Sequence, residues 1–287
     1  MRLATAQAKA EVLTEALPYI RAWAGRRVVV KAGGESVDQE TMLDSLARDL
    51  ALMRFVGMSP ILVHGGGKQI SHAMRAAGKL PNFVGGRRVT DAQTVAIVRD
   101  VLWEINGRLV AALARHGARA VGLSGEEGAM LATRRATGPA GEDLGFVGDV
   151  EKVNTGPLDS ALDDDLIPVV APVGSGPEGP YNINADQAAA AVAVAVGAQK
   201  VVLLTNVEGL YADLGDQDSL ISQASVASLQ ELQARGTLTE GMIPKIGSVI
   251  DALTNGVAQA HILDGRVAHA LLLEVFTDEG VGTMVLP

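Results

Sequence analysis

The 287 residues can bury a sizeable core as one large domain or two joined lobes, and with 48% apolar but only 3% aromatic residues that core must be built from Ala, Val, Leu and Ile. A formal net charge of −9, from 24 basic and 33 acidic residues with no lysine-arginine block, argues against nucleic acid and anionic membrane surfaces as partners. With 0 cysteines, disulfides, thiol catalysis and Cys-ligated zinc are excluded.

The first predicted element is an amphipathic helix over residues 4–24, where Leu13, Leu17 and Ile20 share a face and Trp23 lies close by. Ala22-Trp23-Ala24 has the shape of a signal-peptide cleavage site, but Lys9, Glu11 and Glu15 interrupt any apolar region before it. A strand at 28–31 follows, then a helix from about Asp38 to Met53 in which Leu43, Leu46, Ala47 and Leu50 repeat with the helical period. Strand 61–64 precedes a helix through Gln69 to Ala77. Thr90 and Asp91 form a predicted N-cap for a long helix carrying Val95, Val98, Leu102, Ile105 and Leu109.

Beyond strand 120–123, residues 124–150 alternate weakly around Gly138-Pro139-Ala140-Gly141 and read as a β-hairpin excursion. Strand 169–171 leads into a predicted Gly/Pro-rich turn from Gly174 to Pro180. The helix predicted at 186–196 is apolar almost all round and must be buried on most sides. Its apolar run, Ala188 to Val196, is far too short to span a membrane. Strand 201–204, helices near 225–235 and 243–254, and strand 261–263 complete the pattern. Alternating strands and helices predict an α/β protein with a mainly parallel sheet and helices on both faces. A soluble, cytoplasmic protein is expected.

Two of the strands end in glycine. Val28-Val29-Val30 runs into Lys31-Ala32-Gly33-Gly34, and Ile61-Leu62-Val63 into His64-Gly65-Gly66-Gly67-Lys68. Such strand ends can offer several backbone N–H groups to one anion, aided by the positive end of the next helix. Asn182-Ile183-Asn184-Ala185-Asp186 opens the buried helix with two amides and a carboxylate. Gly241-Met242-Ile243-Pro244-Lys245 brings a second lysine to another helix start. In a parallel sheet these ends meet in one crevice at the carboxyl edge of the strands. Phosphoryl transfer needs such positioned cations more than it needs covalent chemistry from the protein. Alone, each piece has a plainer reading: a tight turn at Gly33-Gly34, an N-cap at Asp186, a solvated helix residue at Lys245. His64 is expected to brace its loop.

Taken in order, these pieces resemble the amino acid kinase family, and within it the acetylglutamate kinases. Gly86-Arg87-Arg88-Val89-Thr90, Gly122-Leu123-Ser124-Gly125, His261-Ile262-Leu263-Asp264-Gly265-Arg266 and Thr277-Asp278-Glu279-Gly280 extend the likeness over nearly the whole chain. The resemblance implies a three-layer αβα sandwich around a mainly parallel open sheet. It implies an oligomerisation helix at 1–24, a substrate-binding and dimerising lobe at 25–180, and an ATP-binding and effector lobe at 181–287. The implied reaction is ATP-dependent phosphorylation of the γ-carboxylate of N-acetyl-L-glutamate, in arginine synthesis. Lys31 and Lys245 would stabilise the transferring phosphoryl group and Asp186 would hold both lysines. The N–H groups of Gly33, Gly34, Gly66 and Gly67 would bind phosphoryl and substrate oxygens. Arg88, Asn182 and Asn184 would grip the substrate. Adenine and ribose would lie near Thr205, Asn206, Gly209 and Leu210. No metal-ligand cluster stands out, so Mg²⁺ would be held mainly by the nucleotide phosphates.

Tyr19-Ile20-Arg21 in an N-terminal helix resembles the extension of the arginine-inhibited, hexameric members, trimers of dimers with arginine as effector. Tyr19, His261 and Glu274 would form that effector site. Ala32, Gly107 after Asn106, and Ala22 depart from the family's usual residues. Two alternatives are a kinase for glutamate or aminoadipate attached to an acidic carrier protein, and a non-catalytic arginine-sensing scaffold. A basic docking surface would mark the first, and loss of Lys31, Asp186 or Lys245 the second. A PII-type signalling partner is possible but nothing in the sequence indicates one.

Overall fold

The computed structural model describes residues 2–287 apart from Leu214, Thr237, Glu240, Asp278 and Glu279, so two residues of the C-terminal motif, Asp278 and Glu279, lie outside the described residues. Among the described residues the central sheet has eight strands. In chain order they are Arg27–Ala32, Ser59–His64, Ala120–Ser124, Ile167–Ala171, Lys200–Thr205, Gln223–Ser225, Gln259–Asp264 and Gly282–Leu286, here β1 to β8. Across the sheet they run β6-β8-β7-β5-β1-β2-β4-β3. Only the β7–β8 pair is antiparallel among them.

The layers follow from the two-residue period of a strand. Val28 and Val30 of β1 pack in one core cluster with Leu43, Leu50, Leu109 and Leu271. Val29 points the other way, into a cluster with Ala189, Val192, Ile246 and Val249. All three valines are fully buried. Both faces are therefore covered, by helices Glu40–Phe55, Ala92–Arg115 and Ala270–Phe276 on one side and Ala185–Ala195 and Ile243–Thr254 on the other. This is the expected three-layer sandwich. No described helix is long and apolar enough to cross a membrane.

Asp91 caps the long helix by accepting from the Thr94 backbone N–H at 2.8 Å, a contact of a kind worth about 1 kcal/mol. Thr90 does not cap; its hydroxyl donates to the Arg88 carbonyl at 2.6 Å.

Two expectations are corrected. The N-terminal segment is two helices, Arg2–Glu15 and Leu17–Trp23. Pro18 sits in the first turn of the second and cannot donate to a preceding carbonyl, so the continuous helix ends there. Leu13 and Leu17 are exposed, while Trp23 packs against the core.

The Gly174-to-Pro180 stretch is not a simple turn. It runs through parts of two strands, Val173–Gly176 and Gly179–Ile183, which pair with each other. Together with the expected hairpin, Leu131–Thr137 against Asp143–Val153, they close a four-stranded barrel. Glycine lets the walls of this barrel approach: a Cβ on Gly174 would stand 2.4 Å from the Thr133 side chain. The barrel's last strand ends at Ile183 and delivers the chain directly to Asn184 and the buried helix.

Candidate active site

Asn184 follows the barrel's last strand as the N-cap of helix Ala185–Ala195, its side-chain oxygen accepting from the N–H groups of Asp186 (2.8 Å) and Gln187 (3.2 Å). That cap fixes Asp186 in the first turn, directed at two ammonium groups. Lys31 Nζ lies 2.9 Å from one carboxylate oxygen and Lys245 Nζ 2.9 Å from the other. Lys31 comes from the end of β1 and Lys245 from the first turn of helix Ile243–Thr254. All three side chains are close to buried.

Burial alone would push the Asp186 carboxyl up, but the charges of Lys31 and Lys245 overcome it and hold the group well below the usual carboxylate range. Burial also pushes the Lys245 ammonium down, reinforced by Lys31 and opposed by Asp186. Two cations facing one anion leave the cluster with positive charge to spare. It is built to receive an anion, not to abstract a proton.

A cleft of about 290 Å³ opens in front of this cluster. Its lining includes Lys31, Gly33, Gly34, Gly65, Gly66, Gly67, Arg88, Asn182, Asn184 and Asp186. Helix Gly67–Ala76 starts there, and the first N–H groups of a helix have no partner within it. Two glycines are dictated by geometry. Gly34 has φ 58°, and a Cβ on Gly66 would stand 2.6 Å from Ile105 Cδ1.

His64 is fully buried and its pKa falls to about 4 because burial disfavours the imidazolium. Its Nε2 lies 3.2 Å from the Asn106 amide nitrogen, which also donates to the Val169 carbonyl, while Nδ1 faces the Gly65 carbonyl at 3.3 Å. A neutral imidazole donating through Nδ1 satisfies both contacts. His64 thus braces the glycine loop, as expected for a group that cannot carry charge there.

Arg88 is 6% exposed. It donates to the Gly67 carbonyl (2.9 Å) and the Ser71 hydroxyl (2.8 Å), touches Met74 Sδ at 3.2 Å, and stacks 4.6 Å from the centroid of Phe83. Burial, then the nearby Arg75, lowers its pKa, yet a guanidinium remains charged at neutral pH. No carboxylate among the described residues pairs with it. A buried cation held only by neutral groups is costly unless an anion arrives. Asn182 flanks it, donating to the Thr90 hydroxyl at 3.3 Å.

Thr205, Asn206, Gly209 and Leu210 lie apart from this cleft's lining. Thr205 ends β5 and accepts from the Val207 N–H at 2.9 Å. Gly209 and Leu210 pack on Thr283, which accepts from the Leu210 N–H at 2.8 Å. Among the described residues no group of three or more His, Cys, Asp or Glu side chains is placed to hold a metal ion.

Tyr19, His261 and Glu274 meet elsewhere, around a second cavity of about 520 Å³. His261 Nδ1 lies 2.6 Å from Glu274, and Lys200 Nζ 3.8 Å from the same oxygen and 4.7 Å from the centroid of Trp23. Lys200 was missed in the sequence, because a lysine flanking an apolar strand reads as a solvated end. Here it is 3% exposed, and burial pushes its ammonium down to about 8 against the pull of Glu274.

Residues 26–264 match the amino acid kinase family. The chain is 48% identical to an acetylglutamate kinase of Moorella thermoacetica and 49% identical to one of Symbiobacterium thermophilum, in each case over 97% of both proteins. Among solved structures it superposes on the N-acetylglutamate synthase of Neisseria gonorrhoeae complexed with coenzyme A and N-acetyl-glutamate, with a TM-score of 0.86 at 29% identity. That match covers 97% of this chain and 63% of the synthase, which has also been solved with coenzyme A and L-arginine.

Proposed function

The chain belongs to the amino acid kinase family, and from that premise we propose that it transfers the γ-phosphoryl group of ATP to the γ-carboxylate of N-acetyl-L-glutamate, in arginine biosynthesis. The observation that carries this reading is the buried Arg88, without a carboxylate partner, in the same cleft as the Lys31–Asp186–Lys245 cluster. One anchor for a carboxylate and one cationic floor suit a dicarboxylate held at one end and phosphorylated at the other. Arg88 presents a planar fork to the α-carboxylate, with Asn182 beside it. The acceptor carboxylate is already ionised at neutral pH and needs no general base.

The obstacle is repulsion between that carboxylate and the phosphoryl oxygens. Lys31 and Lys245 offset it, and Asp186 keeps both ammonium groups in place without being protonated itself. N–H groups at Gly33, Gly34, Gly66 and Gly67 take up the remaining oxygen charge. The nucleotide lies toward Thr205, Asn206, Gly209 and Leu210. With both Asp186 oxygens held by lysines, the donor set suits Mg²⁺ carried by the nucleotide phosphates, where it neutralises their charge.

The second cavity is the effector site in this reading. Arginine binds there against Tyr19, His261 and Glu274, and the N-terminal helices link three dimers. The direct test is acyl phosphate formation, trapped with hydroxylamine, from free N-acetyl-L-glutamate and ATP with and without arginine. Turnover that arginine suppresses is expected. No product from the free amino acid, with product from a carrier-linked substrate, would overturn the assignment. Turnover indifferent to arginine would remove the effector reading alone.

A further inference from the structure

The hairpin that carries Arg88 cannot hold itself in place. It pairs two residues with two, Phe83–Val84 with Arg87–Arg88, and turns through Gly85 and Gly86 at φ 54° and 76°. So short a ribbon has too little pairing to be stable alone, yet Phe83, Arg87 and Arg88 line the cleft. Backbone hydrogen bonds hold the chain just beyond it, Thr90 N–H to the Leu144 carbonyl at 2.9 Å and Phe146 N–H to the Thr90 carbonyl at 2.6 Å, and side chains anchor the hairpin itself.

Successive strand residues point to opposite sides, and here both sides are tied. Arg88 enters helix Gly67–Ala76. Arg87 turns the other way and pairs with Asp149 on strand Asp143–Val153, Nη1 to Oδ1 at 2.7 Å. The same Asp149 oxygen accepts from Gln187 Nε2 at 3.1 Å. Gln187 directly follows Asp186. One carboxylate outside the cleft lining therefore joins the hairpin to the first turn of the helix that aligns the two lysines. Arg134 approaches its other oxygen at 3.8 Å from a largely exposed position.

We propose that Asp149 is a positioning residue: through Arg87 and Gln187 it fixes the distance between the carboxylate anchor at Arg88 and the lysine cluster at Asp186. The proposal rests on the reading of Arg88 as the anchor for N-acetyl-L-glutamate. Nothing in it requires Asp149 to touch the substrate. Losing the brace lets the hairpin drift, which weakens the grip on the amino acid and leaves the nucleotide site alone.

The test is the Michaelis constant for each substrate in Asp149→Asn, Arg87→Ala and the double variant, with Arg134→Ala as a control. Asp149→Asn keeps an acceptor for Gln187 but removes the charge that holds Arg87. The expected result is a roughly tenfold rise in KM for N-acetyl-L-glutamate in either single variant, with KM for ATP and kcat at saturation within about twofold of wild type. The double variant should be no worse than the worse single one, because both break one link. Arg134→Ala should behave as wild type. Unchanged KM in both singles, equal loss toward both substrates, or additive losses in the double variant would overturn the proposal. If Asp149→Asn fails to fold, Arg87→Ala tests the same link from its other end. Wild-type turnover in the same assay separates the two readings. An inactive wild type removes the substrate assignment and this proposal with it, whereas an active wild type with insensitive variants removes this proposal only.

Discussion

At the carboxyl end of β1, two lysines face one aspartate, each at 2.9 Å. At the amino end of β5, one lysine and one histidine share one glutamate, at 3.8 and 2.6 Å. Both clusters are buried, and burial penalises charge in both, but the outcomes are opposite. In the first the cations prevail and Asp186 is held ionised far below its ordinary range. In the second, burial prevails over Glu274 and pushes the Lys200 ammonium down to about 8. His261 is pushed down by burial as well, and so is neutral at pH 7. The cleft thus keeps spare positive charge, suited to phosphate and carboxylate. The second cavity balances one cation against one anion, which suits a ligand carrying both charges, as arginine does.

The largest effect should come from breaking the cationic excess at the carboxyl end. Lys31→Ala or Lys245→Ala should lower turnover by about 10²-fold or more, a loss of ~3 kcal/mol in transition-state stabilisation. Steady-state rates at saturating substrates would show it, and near-normal rates in both variants would end the proposed chemistry.

A smaller effect sharpens the contrast within the cleft itself. Arg88→Lys keeps the charge but loses the planar fork, so KM for N-acetyl-L-glutamate should rise by roughly tenfold while that for ATP moves little. A rise confined to ATP would place Arg88 at the wrong substrate.

The last effect concerns the amino end and is read as stability against pH. The folded state lowers the Lys200 pKa from 10.5 to about 8. Between these values the unfolded chain binds the proton and the folded chain does not, so this group adds stability as pH rises from 8 toward 10.5. Below pH 8 its burial is a standing cost. Lys200→Met should therefore unfold less readily than wild type at pH 7, by on the order of 1–3 kcal/mol, with the advantage shrinking by pH 10. Denaturant midpoints at the two pH values would decide, and a gap that widened with pH would refute the assignment.

Much of the scaffold was legible because local patterns carry it. Val28-Val29-Val30 read as a strand, and its three valines are buried on both faces of the sheet. Leu43, Leu46, Ala47 and Leu50 read as a helix face, and all four are buried. Asp91 read as a cap. Pro18 was visible too, but the apolar spacing of Leu13, Leu17 and Ile20 suggested one helix where the missing N–H makes two. The barrel was harder to see. Gly174 to Pro180 is rich in turn formers, and only contact with Thr133, Tyr181 and Ile183 explains why strands with so little side chain are needed.

The site divides in the same way. Sequence by itself determined that lysines, glycines and an Asn-x-Asn-x-Asp turn stand at strand ends and helix starts, because propensity and periodicity act over a few residues. It could not determine that Lys245 reaches Asp186 across 59 positions, that Arg88 is buried without a carboxylate, or that Lys200 lies under Trp23 and Asp149 under Arg87. A pattern of faces states which side chains must be hidden, not which hidden faces meet. That choice belongs to the packing of helices on the two sides of the sheet. It places the charges in low dielectric and so decides which of them are held ionised, which are pushed toward neutrality, and which wait for a ligand.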